Sequence, residues 1–341
     1  MLRFSSGRRA RLALGLGLVM VLALVPACSK KKDSKAATPT TRPPAFPLTG
    51  LPPGAGAANM NRAAMAVKID NISAARPQSG LDAADLVYEE LAEGGLTRFV
   101  VVFQSTDAPE IGPVRSARPS DAEICAWLNG ALVYSGGAPA ILQLVTTTAG
   151  IKAVNIDSEP GGSYRTTDRS SPQNLYTSTQ RLYDTVGGGL QPPRVPFNDF
   201  LAPGQPFTAA GAVPATKLTL RPGPAVDAAY DWDPAVSGWK RSTDGRPHTV
   251  KGGAQVAPNN VIVQFTPYAE WPFDSQVRVA DGTASGPAWI LSGGMVVKGT
   301  WERQNPMEAV VYKDAAGNPI RLPPGRTWIE LPRSDAPANV T

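Results

Sequence analysis

The sequence has a single histidine, His248, and two cysteines, Cys28 and Cys125, in 341 residues. A zinc site built from several His and Cys ligands is therefore excluded, and a Ser-His-Asp triad would have to run through His248. No phosphate-loop signature is present, so neither a cofactor nor a metal is expected. Past residue 28 the chain also lacks any run approaching the about 20 apolar residues that a bilayer-spanning helix needs. Nor does it carry a repeat of solenoid length.

What the chain does have, at its start, is an export leader. Arg3, Arg8, Arg9 and Arg11 precede an uncharged, mostly apolar run from Leu12 to Ala27 that ends Val25-Pro26-Ala27-Cys28. The aliphatic residue three before the cysteine and the small one directly before it define a lipobox, with Pro26 an uncommon second residue. Residues 1–28 are thus read as a lipoprotein signal peptide and Cys28 as the lipidation site. The diacylglyceryl cysteine holds the mature chain to the extracytoplasmic face of the cell membrane, since one acyl chain anchors only marginally whereas two or three hold a protein firmly. Lipidation occupies Cys28 and leaves Cys125 without an intrachain partner, so no disulfide framework exists.

The formal charge of +5 would suggest nucleic acid. Its location argues otherwise. Nine of the 33 basic residues and one of the 28 acids precede Pro43, leaving 24 cations against 27 anions in 43–341. The basicity belongs to the leader and to Lys30, Lys31, Lys32 and Lys35, which suit anionic headgroups at about 1 kcal/mol each near the surface. No nucleic-acid partner is expected.

Residues 29–47, rich in Lys, Ala, Thr and Pro, read as a flexible tether. After a loop-like stretch and a strand at Ala66–Ile69, Leu86-Val87-Tyr88 and Phe99–Phe103 flank Glu93-Gly94-Gly95 as the arms of a hairpin, with a helix from Asp82 to Glu93 as the alternative. Ser120–Glu123 matches a capping box opening an amphipathic helix, and Cys125 on it is read as a small buried hydrophobe. A strand at Ala131–Tyr134, a helix opening at Pro139, a strand at Ile151–Ile156 and a helix capped by Ser178 complete an alternating pattern. Gly and Pro dominate from Gly187 to Pro214. Downstream lie only short strands and turns, among them Asp244-Gly245. The expected fold class is α+β: an N-terminal α/β-type layered domain with a mixed sheet over 48–200, then a C-terminal all-β domain over 213–335.

Several segments, taken together, resemble the DUF3048 family. They are Ala75–Leu81 (ARPQSGL), Ala84–Glu89 (ADLVYE), Glu93–Phe99 (EGGLTRF) and Gly112–Pro119 (GPVRSARP), followed by Ser135-Gly136-Gly137, Asn174–Thr177, Gly245-Arg246-Pro247-His248, Asn260–Gln264 and Gly299–Glu302. The resemblance covers nearly all of the mature chain in order. It implies an α/β-type N-terminal unit, a β-rich C-terminal unit and a lipoprotein leader. Thr249-Val250-Lys251 stand where the family tends to place an acid after the histidine.

Arginine forks and the backbone N–H groups of a helix start both bind carboxylate or phosphate. In open α/β sheets, strand-to-helix crevices are the usual ligand positions. The candidate ligand-binding residues are accordingly Arg76, Glu89, Arg98, Arg115, Ser116, Arg118, Ser135, Gly136, Gly137, Asn174 and His248. The bland alternative is internal pairing of the arginines with Asp85, Glu89, Glu90 and Glu93. Glu89 and Glu90 lie on opposite faces of a strand and so cannot flank one glycosidic bond. The leading expectation is a non-catalytic binder of an anionic small ligand or envelope polymer. An envelope glycan hydrolase using carboxylates, and a scaffold docking a cell-envelope protein, are the alternatives.

Overall fold

The computed structural model describes residues 43–341, so the leader, Cys28 and most of the tether lie outside the described residues. The N-terminal half gives β1 (Met65–Asp70), β2 (Leu86–Leu91), β3 (Thr97–Phe103), α1 (Ser120–Cys125), β4 (Gly130–Tyr134), α2 (Pro139–Thr147) and β5 (Ile151–Asn155). A short pair, β6 (Tyr164–Arg165) and β7 (Leu175–Tyr176), precedes α3 (Thr179–Val186).

The remaining elements are strands: β8 (Val213–Pro214), β9 (Lys217–Gly223), β10 (Val226–Asp233), β11 (Gly238–Thr243), β12 (Arg246–Pro247), β13 (Asn260–Gln264), β14 (Tyr268–Trp271), β15 (Asp274–Ala280), β16 (Ser285–Ser292), β17 (Met295–Glu302), β18 (Val311–Lys313), β19 (Thr327–Leu331) and β20 (Ala338–Val340).

The main sheet is mixed and runs β18-β17-β16-β13-β19-β2-β3-β1-β4-β5, with β8 on the side of β17. The β13, β19 and β2 strands are parallel, as are β1, β4 and β5, while the β2–β3–β1 steps are antiparallel. This is an α+β architecture. Every residue of β1, β2, β4, β13 and β19 is buried, as expected of strands covered on both faces. Strands from 48–200 and from 213–335 thus share one sheet, joined where Thr327–Leu331 pairs with Leu86–Glu90.

Alternation along the strands sorts the two cores. Val67, Ile69, Val87, Phe99 and Val101 face α3 and a second, five-stranded sheet of order β12-β11-β10-β9-β20. Ala66, Leu86, Val100, Leu132 and Ile329 face α1, Trp127 and α2, together with Phe197, Phe200 and Phe207. Cys125 is buried in this second core, and burial pushes its thiol well above the usual range.

Locally, the hairpin reading of 86–103 holds, with Glu93–Gly95 as its turn. Asp244 and Gly245 take φ of 52° and 73°, the left-handed pair a two-residue hairpin turn requires. Ser178 caps α3, its hydroxyl accepting from Arg181 N at 3.2 Å. The capping box at Ser120 does not form. Ser120 Oγ accepts from Ala280 N at 3.0 Å, and Asp121 accepts from Arg118 N at 2.6 Å. Tertiary partners have claimed Ser120 and, through Arg303, the capping-box Glu123.

Candidate functional site

At the carboxyl end of β1 and β4 the chain from Val114 to Ala117 wedges between the two parallel strands. Arg115 N donates to Lys68 O and Ser135 N to Arg115 O, each at 2.9 Å, and Ala117 N donates to Gly136 O at 3.0 Å. This brings Arg115, Ser116, Ser135 and Gly136 together at a strand end, the position where α/β sheets commonly hold ligands. Arg98, opening β3, reaches the same place by donating to Ser116 O at 3.2 Å. Arg118 donates to Ala117 O at 2.7 Å.

The crevice carries three arginines in close company. Arg118 is tied to Glu93, with Nε 2.5 Å from Oε1 and Nη2 donating to Oε2 at 2.9 Å. Arg98 lies 4.0 Å from the same carboxylate. Burial, then the charges of Arg118 and Arg115, push the Arg98 guanidinium down to about 10. Burial alone would raise the Glu93 carboxyl, but the Arg118 hydrogen bond and the charges of Arg118 and Arg98 hold it below the usual range. Arg115 differs from its neighbours. Its Nε sits 3.0 Å from Asp70 Oδ2 without hydrogen-bond alignment, and its two terminal nitrogens find no acceptor among the described residues.

The glycine turn after β4 is less open to a ligand than its sequence suggests. Ser135 N is already bonded to Arg115 O, and Gly136 N donates to Asn155 Oδ1 at 2.9 Å. Gly137 lies against Leu142, and α2 begins beyond it at Ala138 without a side-chain cap. Asn174 stands at the rim, accepting from Arg165 Nη1 at 3.0 Å, while Arg165 grips Asp157. Among the described residues no cluster of three His, Cys, Asp or Glu side chains could hold a metal ion.

Arg76, Glu89 and His248 do not join the crevice. They belong to the opposite face of the sheet, against β10 and β11, and back onto the crevice through Asp70 and Asn71. Asn71 Nδ2 donates to Glu89 Oε1 at 3.1 Å, and Asn71 Oδ1 accepts from Arg76 Nε at 3.1 Å. Arg241, wholly buried, forms a close ion pair with Glu89, lies 3.7 Å from Glu330 Oε1 and stacks 4.8 Å from the Trp328 ring. Tyr230 donates to Glu330 at 2.5 Å. Burial, then the charge of Glu89, push the Glu330 carboxyl well above the usual range, which favours its protonated form.

His248 is buried in the same network. Its Nε2 lies 2.9 Å from Gln78 Oε1, while Nδ1 faces Arg241 and, at 2.9 Å, Thr243 Oγ1. Gln78 Nε2 donates to Asp70 O, and a guanidinium can only donate, so Nε2 of the histidine carries the proton. Burial, then the charge of Arg241, hold the imidazole well below its ordinary range. Because the chain has one histidine, a ¹⁵N spectrum of untagged protein reads it without assignment. The expected result is an Nε2–H tautomer that does not titrate between about pH 5 and 8; a midpoint near 6.5 would contradict the network.

Composition and spacing gave no notice of Lys68, Asp70, Asp121, Arg241 or Glu330. Lys68, on β1, is wholly buried between Glu90, in close contact, and Asp121 Oδ1 at 2.6 Å. Burial lowers its ammonium to about 8, against the pull of Asp121. Glu89 and Glu90 do face opposite sides, one toward Arg241 and the other toward Lys68. The signal for Arg241 was its position between Trp239 and Thr243, all three inward on one strand.

The mixed sheet is that of a recognised class. The chain matches "Protein of unknown function (DUF3048) N-terminal domain" over residues 48–189 and the corresponding C-terminal domain over 219–329, and it belongs to the DUF3048 family. Among curated proteins it is similar to "Putative lipoprotein YerB" of Bacillus subtilis (strain 168), with 29% identity over 318 residues, 92% of this chain and 93% of that protein. The crystal structure of YerB from Bacillus subtilis matches with a TM-score of 0.73 at 27% identity, covering 87% of this chain and 99% of that one.

Proposed function

We propose that the protein is a lipoprotein held at the extracytoplasmic face of the cell membrane through Cys28, and that it binds an anionic small ligand, or an anionic unit of an envelope polymer, in the strand-end crevice. The anchoring is supported by the leader and lipobox, and by the lipoprotein designation in the relative's name. No helix of the described residues is long and apolar enough to cross a membrane.

The observation that carries the binding role is Arg115. Arg98 donates to a loop carbonyl and Arg118 to loop carbonyls and Glu93, whereas the terminal nitrogens of Arg115 make no hydrogen bond to a protein acceptor among the described residues and Asp70 lies 3.0 Å from its Nε. A planar fork left open beside two other guanidiniums favours a carboxylate or phosphate. The uncapped start of α2 adds a favourable dipole on the same side.

One preparation tests both parts. Protein is extracted from washed membranes and its released small molecules are measured by mass spectrometry. Wild type should carry an anionic compound that Arg115→Ala loses by about tenfold or more, the scale of a charged hydrogen bond. Equal recovery from the two, or none from either, would sink the binding role. Cys28→Ser should move to the soluble fraction, and its retention on membranes would sink the anchor.

A further inference from the structure

Two segments far apart in sequence, Ser73–Pro77 and Thr243–Thr249, wall a polar hollow of about 520 Å³ on the side of the sheet opposite the arginine crevice. A volume of this size lies within the range of about 300–1,000 Å³ for small-molecule sites and is far larger than a bare ion needs. Its floor is the buried edge of His248, fixed by Gln78 on one side and by Thr243 and Arg241 on the other.

Its rim is cationic. Arg76 is locked in place by three of its five N–H groups, to Asn71 Oδ1, Asn71 O and Asp244 Oδ2, and the other two remain to donate. Arg246 stands across the hairpin turn from Asp244, exposed, with no carboxylate partner among the described residues. Asp244 is committed to Arg76 and to Asp227 N, so the lining keeps a net positive charge. The hydroxyls of Ser73 and Thr249 also lie on the hollow without a protein partner among the described residues.

We propose that this hollow is a second ligand site, distinct from the residues around Arg115, which takes a sugar phosphate: the phosphate against Arg246 and Arg76, the sugar hydroxyls against Ser73 and Thr249. A carboxylate would be met by one guanidinium fork, whereas a phosphate has oxygens for both. The remaining volume is polar and accommodates a hydroxylated body better than an alkyl chain. Arg76 and His248 are held before any ligand arrives, so their ordering costs little on binding.

The test is calorimetric titration of the full chain with a panel of hexose and pentose phosphates, with inorganic phosphate and with the unphosphorylated sugars. At least one sugar phosphate should bind, and Arg246→Ala should weaken it by about tenfold or more, since a charge-assisted contact is removed. Arg246 bonds to no side chain, so its removal leaves the melting temperature of the protein in place, and a thermal scan of each variant confirms that. Arg115→Ala should leave the affinity within about twofold, because Arg115 does not line the hollow. The proposal is overturned if no sugar phosphate binds, if inorganic phosphate or the free sugar binds as tightly, or if Arg246→Ala binds as wild type does. Loss of binding in Arg115→Ala alone would move the ligand to the crevice and overturn it as well.

Discussion

Glu89→Gln/Glu330→Gln lowers the free energy of unfolding by about 3–5 kcal/mol at neutral pH, whereas Glu330→Gln alone costs about 1 kcal/mol or less. The two glutamates face each other on the parallel strands β2 and β19, and both reach Arg241. One proton between them leaves a single carboxylate to balance one guanidinium. The shift favours the proton on Glu330, and glutamine there imitates the protonated acid: its carbonyl oxygen still accepts from Tyr230. Glutamine at both positions strips a wholly buried Arg241 of every counter-charge.

The Glu89→Gln single variant falls between, because Glu330 can release its proton and take over the pairing. A chemical-denaturation cycle of the four proteins measures this coupling directly. Additive effects in the cycle would mean that the two acids do not share the arginine.

The same arrangement sets a pH dependence. A carboxyl raised in the folded state binds a proton that the unfolded chain releases above its ordinary range. Its contribution to stability is therefore complete below the unfolded value and is lost as pH rises through the folded one, by about 1.4 kcal/mol per pH unit over that window. Glu330→Gln should flatten this slope.

Lys68→Met should be comparably damaging, at about 3–5 kcal/mol, since it leaves Glu90 and Asp121 buried without their cation. The shape of the side chain is nearly kept, so a lost contact cannot account for a deficit of this size. Adding Glu90→Gln and Asp121→Asn to Lys68→Met should restore most of the stability, because a buried set of neutral groups is often as stable as the ion pairs it replaces. Denaturant midpoints at fixed slope read the difference. If the triple variant is no more stable than Lys68→Met, charge is not what the site requires.

These two networks also mark where sequence reasoning stops. The apolar runs of β3 and β13, the Gly-containing turn between β2 and β3, the Asp244-Gly245 turn and the Ser178 cap are local signals, and each produced the expected element. Glu89 and Glu90 gave only half of theirs. Alternation placed them on opposite faces, but adjacent acids near a strand end look solvated until their partners are known, and Lys68 and Arg241 come from other strands. Gly238–Thr243 was not foreseen as a strand because Lys240, Arg241 and Ser242 hide its alternation. Its inward arginine makes sense only with Glu89 and Glu330 opposite.

The candidate site was legible in a similar measure. The arginines of the Gly112–Pro119 segment and the turn after β4 were expected near one another, and the hydrogen bonds from Arg115 to Lys68 and from Ser135 to Arg115 bring Arg115 and Ser135 side by side. Asp70, which steadies Arg115, gave no signal because a single acid at the end of a strand is ordinary. Arg76 and His248 were grouped with those residues as candidates but lie on the other face, a distinction that depends on which way β1 and β2 turn their side chains.

The position of β19 bears on how the chain reaches this state. It is the last long strand in sequence, yet it lies in the interior of the sheet, between β13 and β2. Until Thr327–Leu331 has emerged, both neighbours present unpaired inner edges, the kind of surface through which chains stick to one another. The contact between Glu89 and Glu330 must also close across most of the polypeptide, and contacts so distant in sequence slow folding. Assembly therefore waits on nearly the whole length of the chain, and for that interval the unfinished sheet depends on speed, dilution or a chaperone to stay free of its neighbours.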